Sequence, residues 1–122
     1  MTSNYDRNLR LAELVALSTG QRVDVYGLTV SLQTLDNIGK ELITYRTVDY
    51  CNNWNDLMNL VIQHGISLEY DKVYPEELAE DCNWNAYQGE SESPYEIYVT
   101  NTNPQIALVD CLISVLEAKE SK

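Results

Sequence analysis

The stretch NPQIALVDCLISVLEAK, Asn103 to Lys119, decides the fold. Asn103 is a helix N-cap, and Pro104 stands at the first helical position, where a fixed φ and a missing amide hydrogen cost nothing. Ile106, Val109, Leu112, Ile113 and Leu116 then return at three- and four-residue spacing, which makes one apolar stripe. Lys119 and Lys122 stand at the end where the helix dipole favours cations. Such a helix needs an apolar surface to lie on, and the rest of the chain is read for that surface.

Working back, Tyr95 to Thr100 reads as a strand with Ile97 and Val99 on one side, and Ile66, Leu68 and Tyr70 alternate in the same way. Between Asn53 and Gly65 the pattern is helical. Asn53 is the cap, Asp56 stands in the capping-box position, and Trp54, Leu57, Met58, Val61 and Ile62 form the stripe. Glu41 to Tyr50 is rich in Thr, Tyr, Val and Ile, and Asp36 to Lys40 supplies turn residues before it, so a hairpin is expected. Leu28, Val30 and Leu32 alternate with Thr29, Ser31 and Gln33, and Val23 and Val25 precede them. Gly27 interrupts that run, so two short strands or one bent strand both fit. Asn8 to Ser18 carries Leu11, Leu14, Val15 and Leu17 on one helical face, with Asp6 as N-cap and Gly20 as the residue that ends it. The expected fold is α/β of the α+β kind: a mostly antiparallel sheet of about five strands sandwiched by three helices, in a single domain over residues 1–122.

Charge narrows the function. The 122 residues hold 19 acidic and 8 basic side chains, a formal net charge of −11. So negative a body repels phosphate backbones and anionic lipid and draws basic partners in, which argues against direct nucleic-acid or membrane binding. No apolar run approaches the ~20 residues of a bilayer span, and the opening residues do not read as a secretory signal, so a cytoplasmic protein is expected. Cys51, Cys82 and Cys111 include no close pair and read as reduced thiols. Nine acidic residues against Lys72 alone lie between Glu69 and Glu96, so this segment holds −8 of the −11. Residues 71–94 within it read as a long acidic loop.

Catalytic chemistry finds little to use. His64 is the one histidine, and its place in the last turn of a helix suits a protonated imidazole held by the helix dipole better than a general base. Cys51 abuts a strand end and Cys111 lies on an apolar helix, so both read as packing thiols. The five glycines are too widely spaced for a phosphate loop or a dinucleotide fingerprint. The carboxylates Asp71, Glu76, Glu77, Glu80 and Asp81 lack the spacing of an EF-hand loop, and nothing positions a sugar between any two of them. The expectation is therefore no enzyme, no cofactor and no metal. A recognition surface remains. The chain has nine tyrosines and no phenylalanine, and Tyr70, Tyr74, Tyr87, Tyr95 and Tyr98 with Trp84 lie in or beside the acidic segment. Carboxylates interleaved with aromatics suit a basic protein partner. The candidate site is Glu69, Asp71, Tyr74, Glu76, Glu77, Glu80, Asp81, Trp84, Tyr87, Glu90 and Glu92, with Tyr74, Trp84 and Tyr87 as anchors. The same run also reads as a plain solvated loop, with its tyrosines half-buried for packing.

Trp54-Asn55-Asp56-Leu57-Met58, opening a helix, and the closing stretch from Asn101 to Leu112 together resemble the phage ABA sandwich domain, over roughly Cys51 to Lys119. The resemblance implies a sheet layered between helices and carries over no catalytic residue. It also implies a phage or prophage setting, in which small acidic proteins inhibit basic, nucleic-acid-binding host defence complexes. Anti-restriction and anti-CRISPR proteins are such inhibitors. In that expectation the carboxylates stand where phosphates would. Two other classes are open: a protein that sequesters a small molecule in a pocket between sheet and helices, and a structural phage protein that forms homo-oligomers through an exposed strand edge.

Overall fold

The closing helix is enclosed rather than striped. In the computed structural model, which describes residues 3–35, 42–71, 83–88 and 97–120, α3 (Pro104–Glu120) buries Ile106, Ala107, Leu108, Val109, Cys111, Leu112, Val115 and Leu116. A helix that is apolar over most of its circumference must be covered on more than one side. The remaining elements are α1 (Asn4–Thr19), β1 (Arg22–Tyr26), β2 (Thr29–Leu35), β3 (Leu42–Val48), α2 (Trp54–His64), β4 (Ile66–Asp71), β5 (Asn83–Gln88) and β6 (Ile97–Asn101). They supply that cover: α3 packs against α1, against α2 and against all three strands of the sheet β4–β5–β6.

The α+β class and the antiparallel pairing are as the sequence predicts; the layering differs. The described residues form six strands in two three-stranded antiparallel sheets, ordered β1–β2–β3 and β4–β5–β6. In place of one sheet between helices, α1 lies on β1 and β2, α3 lies on β4, β5 and β6, and the two helices pack on each other. A single core runs through all of these layers. The sixth strand is β5, which falls inside the segment expected to be loop, and it is the central strand of its sheet. The turn expected at Asp36 to Lys40 lies outside the described residues, but β2 and β3 pair antiparallel as a hairpin requires. Gly27, at φ 62, turns β1 back onto β2 with Tyr26 opposite Thr29, so the run it interrupts is two strands.

Local signals explain most of the boundaries. Asn103 Oδ1 accepts from the amides of Gln105 and Ile106, at 2.9 and 3.3 Å, and Asn53 caps α2 in the same way. Gly20 and Gly65, both left-handed, end α1 and α2. Two expectations are corrected. Ser3, not Asp6, caps α1, because the helix begins one turn earlier; Ser3 Oγ accepts from the Asp6 amide, and Asp6 stands in the first turn. Asp56 does not close a capping box on Asn53. Its carboxylate accepts instead from the Asp49 amide at 3.1 Å, which ties the β3–α2 connection to the helix.

One buried side chain joins the first helix to the first sheet. Asn8 donates through Nδ2 to the Val48 carbonyl at 3.0 Å and accepts through Oδ1 from the Tyr50 amide at 2.8 Å. Asn8→Leu would strand both backbone groups in the interior, at an expected cost of about 2–3 kcal/mol. Urea unfolding monitored by far-UV circular dichroism measures this, and an unchanged midpoint would show that the clamp carries no stability.

Candidate functional site

The register of the second sheet sorts its side chains onto two faces. Ile66, Leu68, Ala86, Ile97 and Val99 point inward and join or pack on the core, and Trp84 packs there with them. The opposite face carries two rows. In one, Glu69 of β4 stands opposite Asn85 of β5, which stands opposite Thr100 of β6. Thr100 Oγ1 donates to Asn85 Oδ1 at 2.9 Å, and Asn85 is only 5% exposed between its neighbours. In the other row Ser67, Tyr87 and Tyr98 stand side by side. The two tyrosine rings are stacked, with centroids 6.1 Å apart and planes 17° from parallel. Ser67, Glu69, Tyr98 and Thr100 are exposed.

The predicted site residues are therefore divided. Glu69 and Tyr87 share the outer face. Trp84 is half-buried on the inner face, where its ring lies 4.9 Å from that of Tyr70. Asp71 closes β4 opposite Asn83. Tyr74, Glu76, Glu77, Glu80, Asp81, Glu90 and Glu92 lie outside the described residues. Sequence reasoning did not place Ser67, Asn85, Tyr98 or Thr100 on the site, although the alternation of Tyr98 and Thr100 with Ile97 and Val99 was signal enough for two of them.

Strand β5 also divides the acidic run. The chain leaves β4 at Asp71 and returns at Asn83, its paired neighbour; it leaves β5 at Gln88 and returns at Ile97, again its neighbour. The link over 72–82 carries Glu76, Glu77, Glu80 and Asp81, and the link over 89–96 carries Glu90, Glu92 and Glu96. The two links are thus attached at opposite ends of one sheet.

The titratable groups outside this face look structural. Burial pushes the Cys51 and Cys111 thiols up to about 11, with Asp49 adding to the effect at Cys51. Burial likewise pushes the Tyr50 hydroxyl up to about 12. The surroundings of His64 disfavour the protonated imidazole that its place at the helix end suits. Burial first, and then the Lys119 charge, hold its pKa below the ordinary value, and its Nδ1 lies 3.2 Å from Lys119 Nζ, which donates to it. Among the described residues no bond joins this ring to a hydroxyl or thiol. The backbone carbonyl of His64 accepts from Gln88 Nε2 at 2.8 Å, fastening α2 to β5.

Two clefts lie elsewhere. One, of about 300 Å³, is lined by Asn4, Tyr5, Asn8, Thr29, Thr47 and Asp49 among others. The second, of about 330 Å³, lies among Leu14, Leu17, Gln63, His64, Leu116 and Lys119 near the helix ends. Neither is lined by a residue of the β4–β5–β6 sheet. No described helix is long and apolar enough to cross a membrane. Compared with protein-family models, with curated proteins and with solved structures, the chain matches none.

Two measurements test these assignments. Because folding raises the Cys51 and Cys111 pKa values above the ordinary 9.0, the protonated thiols contribute stability that is complete below pH 9 and is lost as the pH rises toward 11. Iodoacetamide at mildly alkaline pH should leave both thiols unmodified in the native protein and label them once it is unfolded, as read by peptide mass mapping. Labelling of the native protein would contradict their burial. Lys119→Met should raise the His64 titration midpoint part of the way toward the ordinary 6.5, followed by NMR of the imidazole. An unmoved midpoint would mean that Lys119 does not act on the ring.

Proposed function

We propose that this protein works by binding another protein, through the outer face of β4–β5–β6 and the acidic links attached to it. The observation that carries the reading is the outer face on which exposed Glu69 stands beside the stacked Tyr87 and Tyr98, with Glu69 and Tyr87 inside the segment that holds −8 of the net charge and Tyr98 just beyond it. Aromatic rings on a hydrogen-bonded sheet offer contact area at low entropic cost, and the carboxylates steer and pair a cationic partner. The partner class is a basic host protein that otherwise binds nucleic acid. Occupying its groove would give fast, salt-sensitive association and would exclude DNA or RNA. The phage anti-defence setting rests on the resemblance of the Trp54 to Met58 and Asn101 to Leu112 stretches and on the acidic balance. In this reading the protein needs no catalytic group or cofactor.

A sequestering role is the second reading, favoured by the cleft among Leu14, Leu17, His64, Leu116 and Lys119, whose size is at the lower end for a small-molecule site.

The deciding experiment pairs the native chain with a variant carrying Glu76→Gln, Glu77→Gln, Glu80→Gln and Asp81→Asn in host-lysate pull-downs at low and high salt. The expected result is a basic nucleic-acid-binding protein that high salt releases and added duplex DNA displaces, absent from the variant although its far-UV circular dichroism is unchanged. Retained binding in the variant would sink the acidic-surface reading. If no partner is captured at low salt, a ligand thermal-shift screen takes over, in which a ligand at a hundred times its dissociation constant stabilises by about 2.7 kcal/mol.

A further inference from the structure

Resting on that reading, we infer that the outer face of β4–β5–β6 is an arginine-reading site: it takes a guanidinium group of the partner between the Tyr87 ring and the Glu69 carboxylate. Tyr87 and Tyr98 are cross-strand neighbours whose rings stack with nearly parallel planes. Side chains stand roughly perpendicular to a sheet, so the stack runs across the strands and the face of Tyr87 remote from Tyr98 turns toward β4. Directly opposite on β4 is Ser67, exposed and too short to cover that ring face. Two residues along the same strand, on the same side of the sheet, is Glu69. It is the diagonal neighbour of Tyr87, a relation that sets side chains about 7–8 Å apart. The result is a slot with an aromatic wall, a small polar floor and a carboxylate at one end.

A guanidinium fits this slot in a way an ammonium does not. It is planar and weakly hydrated, stacks on an aromatic face, and presents paired N–H donors to a carboxylate. Among the described residues no cation of the chain fills the slot. Its described cations lie elsewhere: Arg7 and Arg10 pair with Asp110 and Glu117, Arg22 bonds Gln33 on the other sheet, Arg46 belongs to β3, and Lys119 contacts His64. The surrounding −8 segment concentrates basic ligands at the face without choosing among them. The choice of arginine over lysine falls to Tyr87, Ser67 and Glu69.

Fluorescence anisotropy of the full chain with labelled oligo-arginine and oligo-lysine peptides of equal length, at low salt, tests the inference. The arginine peptide should bind about fivefold or more tightly than the lysine peptide. Ser67→Ile, which covers the ring face and suits a strand, should bring arginine affinity down to the lysine level and leave lysine affinity unchanged. Tyr87→Leu should do the same, and circular dichroism of both variants checks the fold. Equal affinities in the native chain, or an arginine preference that survives both substitutions, would overturn the arginine site while the acidic-surface reading stands. If neither peptide binds at all, both readings are overturned.

Discussion

Burying α3 is the constraint from which the rest of the architecture follows. Its eight buried side chains cannot be covered by one sheet, so α1 closes one flank, α2 another and β4–β5–β6 a third. At roughly 25 cal/mol per Å² of apolar surface removed from water, this enclosure outweighs any polar contact in the molecule. The ion pairs that join α1 to α3, Arg7 to Asp110 at 2.9 Å and Arg10 to Glu117 at 3.0 Å, lie at the margin of that contact. The second is nearly half-exposed on both sides, where such pairs are worth ~0–1 kcal/mol. They set helix register more than they hold the helices together. The first sheet is then hung on α1, and Asn8 fixes the end of β3 at the place where a misplaced backbone would lose two buried hydrogen bonds.

This arrangement also separates charge. Residues 1–50 hold five basic side chains, Arg7, Arg10, Arg22, Lys40 and Arg46, against six acidic ones, so the excess of carboxylates belongs to the remainder of the chain. Within that remainder the negative run falls on β4 and on links attached at the two ends of the second sheet, not on α3 or the core strand positions. Crowded carboxylates repel one another and lower stability. Glu69, the carboxylate of the run that is described as exposed, stands on the outer sheet face in water, where such repulsion is screened.

What was legible in the sequence was local. Asn53, Asn103, Gly20 and Gly65 mark helix ends through side-chain and left-handed caps that need only near neighbours, and β2, β4 and β6 announce themselves by alternation. The capping of α1 was misread because Ser3 and Asp6 are both competent caps and periodicity alone fixed the start too late. Strand β5 was hidden because Asn83, Asn85 and Gln88 are poor strand formers in isolation. Asn85 is stabilised there by its partner Thr100, fifteen residues away, which local pattern does not reveal. The split into two sheets was hidden for the same reason. The all-round apolarity of α3 was visible in Ala107, Leu108, Cys111 and Val115, but reading a helix for its best stripe discards those residues.

The candidate site shows how one missed strand changes a functional reading. Trp84 and Tyr87 were taken together as anchors because they are close in sequence within an acidic, aromatic segment. In a loop both could meet one partner. In a strand, side chains alternate, so residues three apart stand on opposite faces, and the inward one is Trp84, packed against the core beside Tyr70. Parity then selects the true companions of Tyr87: they are not its sequence neighbours but Ser67 and Tyr98 across the ladder, with Glu69 one step along. Trp84 contributes by holding the central strand in place from beneath. A face built this way is set by the register of three strands rather than by the conformation of a loop, which is what lets a ring face and a carboxylate be presented at a fixed spacing.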